Sequence, residues 1–319
     1  MRVSKKILLG LLGGSSAAFV PGQLIGGSGS YLWTGQDASL VIAGMASLTA
    51  GTGSYAWTGD TMTPLQDHFV TASGGSYAWT GQDATLTATG GLGLQTNLTG
   101  FWSLEDTSWT DDTGNGTTLT GTGSPTSVSG LVGNAVSLDG STQYLSAASN
   151  TNIEAGTGDF SVQAWVNLDV VKVSSLAIFS KTNNAAGVGE WGLGVGTTSS
   201  NVWRFACINT SLTQFNASAA ASGDGLAATG SWFHLVGTFT ASTGAMALYV
   251  NGSANGTETL TGTLNAGAAV LNVGRLPPTT VLQDGLIDQC GFWKGRVLSA
   301  DDVTALYNGG AGLSYAAMA

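Results

Sequence analysis

From Leu98 to about Gly312 the chain is written in short segments where apolar and polar residues alternate. In "GDFSVQAWVNL", Phe160, Val162, Ala164 and Val166 fall on one face, and Asp159, Ser161, Gln163 and Asn167 on the other, where Trp165 joins them. A period of two is the signature of a strand. The same alternation runs through "SLAIFSK", "EWGLGVG", "NVWRFACI", "SWFHLVGTF", "AMALYVNG", "AVLNVGR" and "GLIDQCGFW". Many short strands separated by turn residues predict an antiparallel two-sheet sandwich. One segment has helical spacing instead: in "LSADDVTALYNGG", Ser299 caps, Asp302 completes a capping box, Val303, Leu306 and Tyr307 form one face, and Gly309 ends it.

The first ninety residues follow another rule. "GSYLWTGQDASL" at Gly29 returns as "GSYAWTGDTMTPL" at Gly53 and "GSYAWTGQDATL" at Gly75, so that Tyr31, Tyr55 and Tyr77 stand 24 and 22 residues apart. Each is followed two residues later by Trp33, Trp57 or Trp79, which an extended strand places on the same face. The Thr-Gly after each Trp reads as a turn, and "QDASL" or "QDATL" as a return strand, giving two-stranded units that must stack to bury their aromatics. These six aromatics are therefore read as assembly residues. Pro64 in the second repeat predicts an edge or a bend there. The organisation expected is an apolar N-terminal anchor over 1–24, a β-repeat region over 25–90, a Gly-rich linker over 91–98 and a sandwich domain over 99–319.

Composition agrees with an all-β chain. Among 319 residues there are 49 glycines, and charged residues make up 9%, a mixture that suits strands and tight turns. A net charge of -10 with only 9 Lys plus Arg leaves no electrostatic footprint for nucleic acid. Cys207 and Cys290 both sit in strand-like runs and read as buried free thiols. With no CxxC or Cys/His spacing there is no zinc signal.

The series "GFWSLEDTSWTDDTGNGTTLTG", "GLVGNAVSLDGSTQYLS", "GDFSVQAWV", "WFHLVGTF", "LYVNG" and "DGLIDQCGFWKGRVLSADDVTALY" resembles the concanavalin A-like, laminin-G-type jelly-roll domain in its bacterial and phage version. The resemblance covers nearly all of 99–312. The aromatic repeats resemble short repeats of bacteriophage fibre and tail proteins. Together they imply a virion protein with a lectin-like head. Because such sandwiches serve lectins, adhesins, enzyme appendages and spacers alike, the fold implies no single activity. Domains of this kind sometimes hold calcium at the sandwich edge, and the matching carboxylates are Asp139 in "SLDGS" and Asp288 in "GLIDQ", with Asp112 in "DDTGNG" third. Oxygen ligands suit Ca²⁺, although Asp-Gly is equally ordinary turn chemistry. No cofactor is required.

Catalytic machinery is sparse. A glycan hydrolase needs two carboxylates across a groove, about 5–9.5 Å apart. The glutamates are Glu105, Glu154, Glu190 and Glu258, and none stands in an alternating acidic strand. The chain is accordingly read as non-enzymatic. For a host-surface glycan, the candidates are Trp191, placed by the sequence beside a loop, and Arg275 at a strand end. An aromatic face stacks on a sugar, and a guanidinium fork takes a carboxylate. The first eighteen residues have the positive start, apolar run and small-residue ending of a secretory signal, and are too short to span a bilayer. They are read as a retained peg that docks into other virion proteins. The expected protein is a homotrimeric virion fibre, spike or decoration subunit, the alternative being a secreted bacterial lectin with a cleaved signal.

Overall fold

The computed structural model describes residues 18–20, 23–26, 30–34, 47–50, 53–58, 69–72, 75–79, 92–172, 175–182, 189–196, 201–277 and 281–319. Contacts divide the chain into two compact units, Met1–Gly91 and Leu92–Ala319.

In the first unit the strands are β1 (Ala18–Val20), β2 (Gln23–Gly26), β3 (Ser30–Thr34), β4 (Ser47–Ala50), β5 (Gly53–Thr58), β6 (Phe69–Ala72) and β7 (Gly75–Trp79). Successive strands from β2 onward alternate between two sheets. One has the order β1-β2-β4-β6 and the other β3-β5-β7. Apart from the antiparallel β1–β2 pair, all pairing is parallel and in register from repeat to repeat. Tyr31, Tyr55 and Tyr77 share one row, and Trp33, Trp57 and Trp79 another.

This corrects three expectations. The repeats do not pair as hairpins: each aromatic strand pairs with its counterpart in the next repeat, because a parallel pair needs a crossover of a dozen or more residues and the repeat length supplies it. The expected return strands over 36–40 and 82–86 lie outside the described residues. The aromatic strand of the second repeat, β5, is the central strand of its sheet and not an edge; Pro64 and any bend there lie outside the described residues. Finally, 18–24 does not belong to a separate anchor, because β1 and most of β2 occupy it; residues 1–17 lie outside the described residues.

The second unit continues with β8 (Leu98–Trp102), β9 (Thr120–Thr122), β10 (Thr126–Ser129), β11 (Asn134–Asp139), β12 (Tyr144–Ala147), β13 (Phe160–Leu168), β14 (Ser175–Thr182), β15 (Gly189–Val195), β16 (Trp203–Ile208), β17 (Gln214–Ser218), β18 (Trp232–Thr240), β19 (Ala245–Val250), β20 (Ser253–Thr259), β21 (Leu271–Val273) and β22 (Asp284–Lys294), followed by the helix α1 (Ala300–Tyr307). They build two antiparallel sheets. The eight-stranded sheet runs β10-β11-β22-β13-β18-β19-β20, with β8 on the free edge of β22, and the seven-stranded sheet runs β17-β16-β15-β14-β21-β12-β9.

The core between the sheets is what the alternation predicts. Phe160, Val162, Ala164 and Val166 join Trp191, Leu193, Phe205, Val273 and Phe292 in one apolar cluster. Both cysteines are buried and free, and burial raises each thiol. A second cluster lies on the opposite face of the eight-stranded sheet, where Val303 and Leu306 of α1 pack with Phe101, Val236 and Trp293. The helix begins as predicted: Asp302 N donates to Ser299 Oγ at 3.1 Å, and Ser299 N to Asp302 Oδ2 at 2.8 Å. Asn308 (φ 49) takes the first left-handed position after it, one residue before Gly309.

Residues 92–98 are not a free linker. Leu94 is buried, its N–H donates to Met318 O at 3.0 Å, and its carbonyl accepts from Trp293 Nε1 at 2.6 Å. The chain end thus clamps the start of the sandwich.

Candidate functional site

The outward face of the seven-stranded sheet is made of small and polar residues. One transverse row reads Ser146, Asn272, Ser180, Gly192, Ala206 and Asn216 on six neighbouring strands. The sequence explains it: in "GEWGLGV", Trp191, Leu193 and Val195 turn inward to the core, which leaves Gly192 and Gly194 outward. Arg204, opposite Gly194, lies across this floor; a Cβ on Gly196 would stand 2.7 Å from its guanidinium. Burial lowers the Arg204 pKa.

At one end of the row the chain leaves β21 through Gly274, whose φ of +79° and distance of 2.1 Å from a built Cβ to Leu138 Cδ1 require glycine. Arg275 follows immediately. Its carbonyl accepts from Ser180 Oγ at 3.2 Å, and Gln283 N donates to Gly274 O at 2.8 Å, fixing the loop to the sheet. The Arg275 guanidinium carbon lies 4.5 Å from the centroid of the Tyr144 ring, a cation–π arrangement. Both side chains are half-buried. Beneath them Asn272 donates to Val270 O and Thr182 O, while its Oδ1 is buried without a partner. Ser180 and Asn272 are fully buried and shape the base of this corner rather than its surface; the half-buried guanidinium oriented on an aromatic face is chemistry for a carboxylate.

The other predicted site residues are placed differently. Trp191 is 1% exposed and packs against Phe179, Phe160 and Phe292 inside the sandwich, so it has no face to offer a sugar. It lies within β15, which begins at Gly189.

The three aspartates are also separated. Asp139 caps its own turn: Oδ1 accepts from the N–H groups of Ser141, Thr142 and Gln143, and the Thr142 hydroxyl on Oδ2 leads the causes that hold its pKa far below the ordinary range. Asp112 Oδ2 accepts from Ser103 N. Asp288 is fully buried, with Oδ2 accepting from Leu131 N and Val132 N at 3.1 Å each; burial pushes its pKa up to about 7. Asp139 stands opposite Asp284, four strand positions or about 13 Å from Asp288. Beside the Asp139 turn, the Lys172 ammonium donates to Gly140 O and Leu282 O. An ammonium already stands beside this turn, and among the described residues no group of three or more His, Cys, Asp or Glu could hold a metal. The calcium set that the resemblance implied does not fit these residues.

Of the four glutamates, Glu190 is 1% exposed and pairs with Lys181 Nζ at 2.5 Å. The same ammonium donates to Gly267 O at 2.8 Å, and Gly267 N donates to Glu190 Oε1 at 3.2 Å. Burial outweighs the ammonium and raises the Glu190 pKa. Glu105 instead receives Asn134 N at 2.8 Å. The Lys181–Glu190 pair escapes sequence reading because its members lie on opposite sides of a loop and meet only through hairpin pairing.

The fold and this face together define a lectin-type β-sandwich. The family model described as "Concanavalin A-like lectin/glucanases superfamily" (Laminin_G_3) matches residues 139–304, and the chain belongs to that superfamily. Among curated proteins none matches the chain. Among solved structures it is similar to domain 4 of AbnA, a GH43 extracellular arabinanase from Geobacillus stearothermophilus, in complex with arabinotriose, at 21% identity and a TM-score of 0.50, over 65% of this chain and 97% of that one. It is also similar to the binding domain of Paraclostridial Mosquitocidal Protein 1 (16% identity, TM-score 0.56, 67% and 52% covered) and to the receptor binding domain of Botulinum Neurotoxin Type G (17%, 0.50, 67% and 51%). The chain spans about half the length of these two toxin domains. At such identities the likeness is one of fold.

Proposed function

We propose that this chain is a non-enzymatic bacteriophage virion protein, a fibre, spike or decoration subunit, whose sandwich attaches to a host-surface glycan carrying carboxylate groups. The observation that carries the binding role is the half-buried Arg275 guanidinium held over the Tyr144 ring, on a loop whose backbone Ser180 Oγ ties to the sheet. The solved structures similar in fold include a domain bound to arabinotriose and toxin binding domains, which supports a binding role over a catalytic one. Glu190, the most enclosed glutamate, is engaged by Lys181.

The virion role is supported by the in-register repeats. Three copies of one aromatic strand, paired in parallel, make a short stack rather than a closed domain. Trimerisation about a shared axis would complete that stack and bring three weak glycan sites together, where effective concentration raises avidity. Native mass spectrometry of the full chain tests this assembly. Three chains per particle is the expected result, and a monomer contradicts it.

A secreted lectin is the second reading, favoured by the signal-like first eighteen residues. Sequencing the N-terminus of the natural protein separates the two: Met1 accords with the virion peg, and a start near Phe19 with secretion.

A further inference from the structure

The strand β22 changes step where it passes β13. Gln163 is opposite Gly291 but Trp165 is opposite Asp288, so β22 carries one extra residue there, and Gln289 takes a left-handed φ of 51°. Ile287 and Cys290, on either side, both belong to the core between the sheets. The bulge therefore leaves Asp288 and Gln289 together on the outward side, each at most 1% exposed. Asp288 Oδ1 and both polar atoms of the Gln289 amide are buried without a partner.

Asp288 Oδ2 is fully used. By accepting from Leu131 N and Val132 N it holds the turn between β10 and β11, which Gly130 N closes by donating to Gly133 O at 2.9 Å. The chain end packs directly on this turn: a Cβ on Gly312 would stand 2.8 Å from Val132 Cγ2 and 3.5 Å from Leu131 Cδ2. Six residues further on, Met318 O accepts from Leu94 N. Turn, chain end and the first residues of the sandwich are thus one connected unit.

The two states of Asp288 fit this place unequally. The neutral acid keeps both turn bonds on Oδ2 and carries its proton on Oδ1. The carboxylate has a charged Oδ1 that nothing in the protein solvates, which is costly in an interior. The titratable groups that face it bring no positive charge to offset this. Glu105, which accepts from Asn134 N at the end of the turn, is a like charge. Cys290 on β22 keeps its proton because burial raises it, and His234, beyond Trp165 on β18, is kept neutral by burial. Tyr307 of α1 contributes a ring stacked on Trp165.

We propose that Asp288 is a proton-operated latch: as the neutral acid it holds the turn Gly130–Asn134 and the chain end packed over it, and as the carboxylate it lets them open to water. Burial raises its pKa to about 7 against the pull of the two N–H groups, with Glu105 adding to the rise. Opening returns the group to water and its ordinary 3.8, so between those values opening releases a proton. Each pH unit in that window raises the opening constant by up to about tenfold, and above it the constant is level. The chain end is therefore held firmly in acid solution and loosely at neutral pH and above.

The test is hydrogen exchange of the full chain, read by mass spectrometry from pH 4.5 to 8.5 and corrected for the intrinsic pH dependence of amide exchange. In peptides covering 128–134 and 308–319, opening is expected to increase at least tenfold between pH 4.5 and 7 and then to level off, while peptides of β18 and β19 do not follow. Asp288→Asn, an isostere of the neutral acid, is expected to stay closed across the whole range. A flat wild type, a slope that persists in Asp288→Asn, or a rise shared equally by β18 and β19 overturns the proposal.

Discussion

Trp165 on β13 and His234 on β18 are register partners and stack with ring centroids 4.7 Å apart on the outward face of the eight-stranded sheet, beneath Tyr307. On its other side Trp165 is opposite Asp288. A row of aspartate, tryptophan and histidine is therefore buried where the sequence pattern had placed a polar face. His234 Nε2 lies 3.1 Å from Gln163 Oε1, and burial pushes its pKa down to about 3.

These two titrations act on stability in opposite senses. Asp288 is raised by burial to about 7 from an ordinary 3.8, so between those values the folded chain keeps a proton that the unfolded chain releases, and stability falls as pH rises through that window. His234 is lowered from 6.5 to about 3, so there the unfolded chain holds the extra proton, and stability falls as pH falls. Glu190, also raised by burial, acts in the sense of Asp288. Asp288→Asn is expected to give urea midpoints that drop more steeply than wild type from pH 6.5 to 4.5. His234→Gln is expected to do the reverse, and parallel profiles for all three proteins contradict the assignment.

The Lys181–Glu190 pair makes a second prediction. Both side chains are at most 1% exposed, so removing either partner strands a charge in the interior. Lys181→Met or Glu190→Gln alone should cost about 3–5 kcal/mol, while the double change to Met and Leu should recover most of that loss. Chemical denaturation of the three variants reads the difference.

At α1, Ser299→Ala removes one arm of the capping box and exposes the Asp302 N–H. A loss of about 1 kcal/mol is expected, readable by thermal or urea unfolding, with binding at the Arg275 face unaffected because the helix packs on the other sheet.

Much of this architecture was legible in the sequence because it depends on local periodicity. The inward set of β13 and the Ser299 cap need only spacing. Trp165 shows the limit: spacing assigned its face, but only α1, arriving from more than a hundred residues downstream, makes that face an interior. Trp191 stood in a strand segment already, and only its nearness to the preceding loop suggested a sugar platform; its place in the alternation, with Leu193 and Val195, is what turns it inward. The repeats illustrate a different ambiguity, since a period of two is the same in a hairpin and in a parallel stack, and the choice lies in how far the chain travels between copies. Arg275 was legible as a strand-end cation. Its seat on Tyr144 was not, because β12 and β21, which bring the two residues together, pair across more than a hundred residues of sequence.

Removing residues 1–91 separates the two roles. The sandwich has its own two apolar clusters, and its start is clamped to its end through Leu94, Trp293 and Met318. The fragment 92–319 should fold as a monomer, bind glycan through single sites and lose the avidity of the full chain. Sedimentation with surface-plasmon resonance on an immobilised polysaccharide measures both, and a trimeric fragment would place assembly in the sandwich.

The most direct test of the account is the affinity of the full chain for carboxylate-bearing glycans, uronate and sialylated oligosaccharides, compared between wild type and Arg275→Ala under conditions where both have the same thermal stability. Wild type is predicted to bind at least one such glycan, with affinity falling at least tenfold in Arg275→Ala and only in part in Arg275→Lys, since lysine keeps the charge but not the planar fork. Absence of binding by wild type, or equal affinity in all three proteins, would contradict the assignment of this face.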